Sequence, residues 1–255
     1  MRLIPVTVLA GTAGAFAPML RRLSQSAALQ RVLVVADPGV ADAAPGCACC
    51  TMADGLTRAL REAHFSRAHA FDRVLVDASG RDPRPTVAAL ARTPLASLRF
   101  AMSAIVCAES ETDALSRGLA DAAVDPARCA MEDLFAPGLY RDGALDARGW
   151  LDRALVPRIT WSRPEPWDPA DVEPAVQAIQ LAAGERLLRL KGVVHVAGER
   201  GPRVVQAFGH TRYPSARLPS WPGPGRGTTL ALATRPLDFA PIARILDLIP
   251  FRPTS

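Results

Sequence analysis

The chain has 255 residues, with 30 lysines and arginines against 25 aspartates and glutamates, a formal net charge of +5. Hydrophobic residues make up 49% and aromatic residues only 5%, which favours α/β or helical packing over an aromatic-rich β-sandwich. The arginines are scattered rather than clustered with aromatic residues, which argues against a nucleic-acid interface. No apolar run approaches the ~18 residues of a membrane span, so no membrane association is expected.

Strands and helices alternate through the first half of the chain. Four short apolar runs have the composition of strands buried on both faces: residues 3–9, 31–36, 72–77 and 98–107. Amphipathic patterns over residues 16–30 and 51–67 predict helices between them. Because strands that alternate with helices form parallel sheets with right-handed crossovers, this half is predicted to be an α/β domain.

The composition changes near residue 157, where prolines and tryptophans crowd one stretch that predicts a linker. A short helix is expected over residues 172–181. Residues 186–210 hold two apolar runs around the turn sequence GERGP, which predicts a hairpin. A further strand at 228–234 and a final helix at 239–248 complete a small α+β unit.

The predicted fold is therefore α/β, with a trimmed P-loop-type parallel-sheet domain followed by a small α+β C-terminal domain. The predicted divisions are a P-loop-type domain over residues 1–156, a linker with its helix over 157–182, and the C-terminal domain over 183–255.

The turn after the first apolar run is where a P-loop would lie, although a glycine-rich turn between a strand and a helix is more often an ordinary turn. A working loop reads G-x-x-x-x-G-K-[ST], in which amides cradle phosphates, the lysine reaches the β/γ-phosphates and the hydroxyl holds magnesium. This chain has Gly11 and Gly14, but Phe16, Ala17 and Pro18 stand where the second glycine, the lysine and the hydroxyl belong. The bulky ring is predicted to stand where backbone must approach phosphate. Binding of GTP with magnesium is therefore not expected.

Three of the five cysteines lie within four residues, at Cys47, Cys49 and Cys50. Three thiolates this close can converge on one ion, zinc above all, and leave a fourth position open. The helix predicted to follow them favours thiolate over thiol at its N-terminus. Buried small residues or an oxidised pair are the alternative interpretations. His64 or His69 could supply a fourth ligand, or both could be ordinary polar residues at a helix end.

The remaining candidates are weaker signals. Asp77 ends the third apolar run and is followed by Ser79 and Gly80, the form of a Walker-B and switch segment, although acidic residues at strand ends are common. Two histidines in the second domain's predicted strands could form a small site or be ordinary sheet residues: His195 and His210. The two remaining cysteines are predicted to be buried: Cys107 and Cys129.

Taken in order, these segments resemble the CobW-like family of P-loop GTPases and metallochaperones. The resemblance is carried by IPVTVLAG, RVLVVADPG, GCACCTMADGL and DRVLVDASGRDPRP, and by LLRLKGVVHVAGERGPRVVQAFGH with TLALATRPLD near the C-terminus. In the family's Glu-Thr-Ser-Gly-type segment, this chain has Asp77 for the glutamate and Ala78 for the threonine. The resemblance implies vestigial nucleotide-binding positions and a metal motif: Gly11, Gly14, Asp77 and Gly80 for the nucleotide, and Cys47, Cys49 and Cys50 for the metal.

The departures from the family pattern are equally informative. The segment between Gly39 and Cys47 is shorter than usual, and Lys191 is the only lysine in the chain. No Asn-Lys-x-Asp guanine-reading motif follows the fourth apolar run, which continues AIVCAESETDALSRG.

The resemblance thus implies a protein that binds a transition-metal ion, zinc first, and delivers it to a client metalloenzyme, with GTP hydrolysis lost. The cysteines, odd in number and clustered, are a poor disulfide framework, so a cytoplasmic protein is expected. Two alternatives stay open: a non-catalytic partner or regulatory subunit of an intact paralogue or of a client enzyme, and a divergent GTP-binding hydrolase.

Overall fold

Two sheets organise the chain, one parallel and one antiparallel. The structure, a computed structural model, describes residues 3–25, 31–36, 48–66, 71–92, 99–141, 144–145, 150–151, 158–221 and 225–249. The chain divides into a first unit, Met1–Asp146, and a second unit, Ala147–Ser255. Of the helices within the described ranges, none has the length and apolarity that crossing a bilayer requires.

The first unit contains a parallel sheet with helices between its strands. The strands are β1 (Ile4–Ala10), β2 (Val32–Ala36), β3 (Arg73–Asp77), β4 (Phe100–Ala108) and β5 (Ala122–Val124). The helices are α1 (Ala17–Ser24), α2 (Ala48–Ser66), α3 (Arg84–Arg92), α4 (Ala114–Leu119) and α5 (Met131–Phe135). A short antiparallel pair follows: β6 (Tyr140–Arg141) and β7 (Ala144–Leu145).

The parallel sheet has the order β2-β3-β1-β4-β5. Every residue of β1 and of β4 is buried, as expected for central strands covered on both faces. The first four strands coincide with the four apolar runs to within two residues at either end. The prediction of a parallel α/β domain is confirmed.

Phe16 anchors the turn between β1 and α1 to the core of the first unit. Its side chain is fully buried in a cluster that includes Met19, Leu75 and Val106. The sequence predicted this ring in the path of a phosphate, and that prediction is wrong. Because α1 begins at the next residue, the Phe16 ring packs with Met19 on the apolar side of the helix.

The second unit contains an antiparallel sheet with two helices in its core. The strands are β8 (Arg158–Arg163), β9 (Leu187–Val194), β10 (Arg203–Phe208), β11 (Thr211–Arg212), β12 (Ala216–Arg217) and β13 (Thr228–Thr234). The helices are α6 (Val172–Ala183) and α7 (Ala240–Leu248). The sheet order is β11-β10-β9-β13-β8, with β12 beside β10, and the predicted hairpin is the β9–β10 pair.

Strand β8 lies within the segment that the sequence assigned to a linker. It pairs antiparallel with β13, from Arg163 opposite Thr228 to Arg158 opposite Ala233. Pro164 follows the strand and therefore removes no amide from the ladder. Trp167, further along the same segment, is fully buried, and its amide donates to the carbonyl of His195 at 2.8 Å. In the sequence, Pro157 and Pro164 flank β8, which is an edge strand of the antiparallel sheet.

Lys191, the only lysine of the chain, is buried in strand β9. Its Nζ donates to the carbonyl oxygen of Trp150 at 2.8 Å and lies 5.2 Å from the centre of the Trp150 ring. An ammonium group over an indole face is attracted by the negative face of the ring. This lysine is therefore committed to a structural contact of the second unit.

Substitution of Phe16 tests its role as a core anchor. Phe16→Ala should lower the free energy of unfolding of the first unit by about 3–5 kcal/mol, because it leaves a cavity in a packed core. Phe65 on α2 is 73% exposed and provides the matched control; Phe65→Ala should change the same quantity by less than about 0.5 kcal/mol. Urea denaturation followed by far-UV circular dichroism measures both. Equal losses in the two variants would contradict the assignment.

Candidate functional site

A cavity of about 360 Å³ lies at the carboxyl ends of the central strands of the first unit. It is lined by three segments that follow β1, β3 and β4: Gly11 and Thr12; Gly80, Arg81 and Asp82; Glu111, Asp113, Leu115 and Ser116. The sheet order reverses between β1 and β4, and ligands of open α/β sheets bind in the crevice at that point. This cavity is therefore the candidate site of the first unit.

The loop that follows β1 is closed on itself. The amide of Ala15 donates to the carbonyl of Thr12 at 3.1 Å, and the amide of Ala17 donates to the carbonyl of Gly14 at 3.0 Å. Gly14 has φ of 73°, a left-handed conformation that glycine adopts without a steric penalty. In a working P-loop such amides bind phosphate oxygens. Here both bind the loop's own carbonyl groups.

The turn after β3 packs directly on this loop. The amide of Gly80 donates to the carbonyl of Gly11 at 2.5 Å. Gly80 has φ of 83°, and a Cβ added there would lie 2.7 Å from the Cβ of Ala13. Only glycine allows this approach, so the two segments form one continuous wall of the cavity.

The predicted nucleotide-binding positions are thus only partly brought together. Gly11 and Gly80 line the cavity, whereas Gly14 and Asp77 are absent from its lining. The Oδ1 atom of Asp77 accepts the amide hydrogen of Ser79 at 3.0 Å. That carboxylate therefore stabilises its own turn. Aspartate side chains commonly accept a hydrogen bond from the backbone amide two residues further along the chain.

Glu111 is the residue that connects the loop to β4, and the sequence analysis did not single it out. Its Oε2 atom accepts from the amide of Thr12 at 2.5 Å and from the Thr12 hydroxyl at 3.1 Å. Its Oε1 atom accepts from the amide of Asp113 at 2.7 Å. The residue is only 4% exposed, and any Cβ on Gly11 would overlap its carboxylate.

The hydrogen bonds around Glu111 keep its carboxyl group ionised. Burial acts to raise the pKa of Glu111, because a charged group loses hydration there. The amides of Asp113, Thr12 and Thr112 and the hydroxyl of Thr12 lower it, and together they hold the pKa below its ordinary value. The loop after β1 is thus bound by a buried anion of the same chain.

A signal for Glu111 is present in the sequence. The residues after β4 read Ser110, Glu111, Thr112 and Asp113, at the place where a guanine-binding protein of this fold has Asn-Lys-x-Asp. Glu111 stands in the place of the lysine. Asp113 keeps the place of the aspartate, and its Oδ2 atom accepts the amide hydrogen of Ser116 at 2.7 Å, which caps α4.

Acidic groups dominate the charge of the cavity. Its lining includes the carboxylates of Asp82, Glu111 and Asp113 and one guanidinium group, that of Arg81. Asp82 is also bonded to Arg84 outside the lining, with Nη2 and Oδ2 2.6 Å apart. A triphosphate would meet net negative charge here, which is unfavourable in a partly buried pocket.

The cysteine motif lies at the N-terminus of helix α2. The helix begins at Ala48, so that Cys49 and Cys50 fall in its first turn. Cys47 lies outside the described residues, and for Cys49 and Cys50 the structure describes the backbone alone. Among residues whose side chains are described, no group of three or more His, Cys, Asp or Glu could hold a metal ion.

His64 is too far along α2 to complete a site with these cysteines. It follows Cys50 by fourteen residues, which corresponds to about 21 Å along a helix. Its ring instead contacts Phe65 and Phe100 edge-to-face, with centroid distances of 5.3 and 6.4 Å. His69 lies outside the described residues.

The two histidines of the second unit do not form one site. His195 follows β9 and His210 follows β10, and these strands are antiparallel, so their carboxyl ends lie at opposite ends of the sheet. The prediction that both lie within strands is wrong by one or two residues. The Nδ1 atom of His195 lies 3.1 Å from the carbonyl of Pro164, and its ring packs edge-to-face on Trp221.

The two cysteines outside the motif are buried, as predicted. Burial raises the pKa of Cys107 to about 11, so this thiol is protonated at neutral pH. The Sγ atom of Cys129 lies 3.2 Å from the Sδ atom of Met19 in the core. Neither thiol has the solvent exposure of a reactive cysteine.

Comparison with known proteins supports the CobW-like resemblance. The family profile of the Cobalamin synthesis protein cobW C-terminal domain matches residues 156–249. The zinc-bound YjiA GTPase from E. coli is similar in structure, with a TM-score of 0.65 and 15% identity over 98% of this chain and 100% of that chain. A zinc-bound triple mutant of YjiA GTPase gives 0.66 and 15% over 98% and 99%. A search of curated protein sequences found no match.

These similarities concern the fold of the chain and the sequence of its second half. The α/β core with its second antiparallel sheet matches the fold of a YjiA-like P-loop GTPase, as the sequence predicted. Residues 156–249 match the family profile of the CobW C-terminal domain. At 15% identity the structural likeness concerns the fold.

The pH dependence of stability tests the ionised state of Glu111. A lowered pKa means that its contribution is fully present above the unfolded-state pKa of about 4.3 and is lost as pH falls through the folded-state value. Glu111→Gln should therefore cost about 1.5–3 kcal/mol of unfolding free energy at pH 7. The difference from wild type should shrink as the pH falls below about 4.

The neighbouring Glu109 is exposed and provides the matched control on the same turn. Glu109→Gln should leave the unfolding free energy unchanged both at pH 7 and below about pH 4, as measured by urea denaturation. If Glu111→Gln lowers the unfolding free energy by the same amount across the pH range, the charge of Glu111 is not the source of the stabilisation.

Proposed function

We propose that this chain is a CobW-like protein that binds a transition-metal ion, zinc first, and delivers it without hydrolysing GTP. The ligands are the thiolates of Cys47, Cys49 and Cys50. The observation that carries the proposal is the position of this motif at the N-terminus of α2, in a chain with a CobW C-terminal domain.

The chemistry of the motif suits capture and release. Cysteine thiolates bind zinc with Zn–S distances of about 2.3 Å, and three of them leave one coordination position for an incoming ligand. The partial positive charge at a helix N-terminus lowers thiol pKa values and so favours the metal-binding form. A client's ligand can enter the open position before the cysteines leave, so the ion, which is the cargo, need never be free in solution.

The two similar structures support zinc as the ion but not the choice of ligands, since one of them is a variant that holds zinc with two of its cysteines replaced by alanine. Both are zinc-bound forms of YjiA GTPase, and each shares its fold with almost the whole of this chain. Three reduced cysteines in a cluster also favour a reducing compartment over an oxidising one, which supports the cytoplasm as the location.

The described site does not fit GTP with magnesium. Ala17 and Pro18 begin α1 without the amine and the hydroxyl that a P-loop supplies at these positions. The amides of Ala15 and Ala17 bind carbonyl groups of the loop, and the anion beside Thr12 is the Glu111 carboxylate. We therefore propose that this chain binds and delivers a metal ion without coupling the delivery to GTP hydrolysis.

Zinc content tests the metal site directly. Protein purified under reducing conditions should hold about one zinc per chain, and a triple Cys47→Ser, Cys49→Ser, Cys50→Ser variant should hold less than about a tenth of that, because hydroxyl groups replace thiolates poorly. Inductively coupled plasma mass spectrometry gives the ratio. Cys107→Ala and Cys129→Ala remove buried thiols and should leave it unchanged. Stoichiometric zinc in the triple variant would refute the thiolate site, and co-purification with an intact paralogue would favour the partner-subunit alternative.

GTP turnover tests the lost energy coupling. The wild-type chain with millimolar GTP and magnesium should release phosphate no faster than the same solution without protein, as measured by a coupled phosphate assay. The reason is the absence of the lysine and hydroxyl that stabilise the developing charge on phosphate. Turnover that depends on magnesium and on the purified chain would instead support the divergent hydrolase.

A further inference from the structure

We propose that Glu111 is a specificity-determining residue: its carboxylate is a tethered anion that takes the place of a phosphate at the loop after β1 and so excludes phosphate-bearing ligands from the cavity.

The donors that Glu111 engages are of the kind that bind phosphate. Its Oε2 atom accepts one backbone amide and one hydroxyl, both from Thr12, directly after Gly11. Backbone amides that follow a glycine in an irregular turn form anion-binding concavities in many proteins. The carboxylate satisfies these donors, so an incoming oxyanion would have to displace a charged group to reach them.

The position of the carboxylate is fixed from several sides. The amide of Asp113 holds its other oxygen at 2.7 Å, and Nη1 of Arg117 donates to the Glu111 carbonyl at 3.1 Å. Gly11 leaves room for the carboxylate because it has no Cβ. With φ of 130°, Gly11 also holds a backbone conformation that other residues rarely adopt. The loop is thus shaped around the Glu111 side chain.

Charge adds to this steric occupation. A phosphate group in the cavity would face the carboxylates of Glu111, Asp113 and Asp82, with only Arg81 as a counter-charge in the lining. Specificity of this kind is built by placing a repulsive group against the unwanted ligand. Glu111 is the group best placed for it, since it is the most buried of the three carboxylates and bonds directly to the loop.

Inorganic pyrophosphate without metal is the probe, so the test is independent of the proposed zinc site. Four variants are compared with wild type: Glu111→Ala, Glu111→Gln, Glu109→Ala and Glu109→Gln. Binding is measured by isothermal titration calorimetry and, at the residue level, by the amide resonance of Thr12 in ¹H–¹⁵N spectra.

Wild type and both Glu109 variants should bind pyrophosphate only weakly, with Kd above about 10 mM, whereas Glu111→Ala should bind it at least about tenfold more tightly. In Glu111→Ala the Thr12 amide resonance should move upfield, because its short hydrogen bond is lost, and should return downfield as pyrophosphate is added. Glu111→Gln keeps the size of the side chain without its charge and should show a smaller gain of the same sign.

Three results would overturn the proposal: wild type that binds as tightly as Glu111→Ala, a gain in Glu109→Ala equal to that in Glu111→Ala, or no gain in either Glu111 variant. Should Glu111→Ala fail to fold, Glu111→Gln decides alone by the same criteria. Loss of zinc binding in a separate experiment would refute the metal proposal and leave this one standing.

Discussion

The hydrogen bonds between Glu111 and Thr12 are the contact on which the first unit's site depends. A loop between a buried strand and a helix presents amide donors that are costly to leave unpaired. In a nucleotide-binding protein the ligand satisfies them. In this chain three of these donors have partners within the chain: the amide of Thr12 bonds to the Glu111 carboxylate, and the amides of Ala15 and Ala17 bond to carbonyl groups of the loop. These contacts tie the loop after β1 to itself and to the segment that follows β4.

Residues in and beside the loop after β1 form packing contacts within the first unit. Phe16, in the place of a glycine, contributes a fully buried ring to the core. Gly80 joins the turn after β3 to Gly11 through a 2.5 Å hydrogen bond. These contacts pack the loop against the core of the first unit and against the turn after β3. Lys191, the only lysine of the sequence, donates a hydrogen bond to the carbonyl of Trp150 in the second unit, which has a core of its own.

Much of the fold could be predicted from the sequence because it depends on local patterns. Strands β1 to β4 are continuous apolar runs, and such runs indicate strands buried on both faces. Strand β8 was missed because it is an edge strand whose half-exposed residues, between prolines, lack that pattern. Glu111 was missed for a different reason. Its partner Thr12 is 99 residues away in the chain, and a contact of that separation leaves no periodicity to read. The cysteine motif stays a prediction, since its thiols lie outside the described atoms.

The hydrogen bond between Gly80 and Gly11 determines how the turn after β3 is held. In GTPases the terminal phosphate of the nucleotide orders the switch segments, and these segments are released when that phosphate leaves on hydrolysis. Here the amide of Gly80 in the turn after β3 bonds to the carbonyl of Gly11. This turn is therefore held to the loop after β1 by a backbone contact that does not depend on a bound nucleotide.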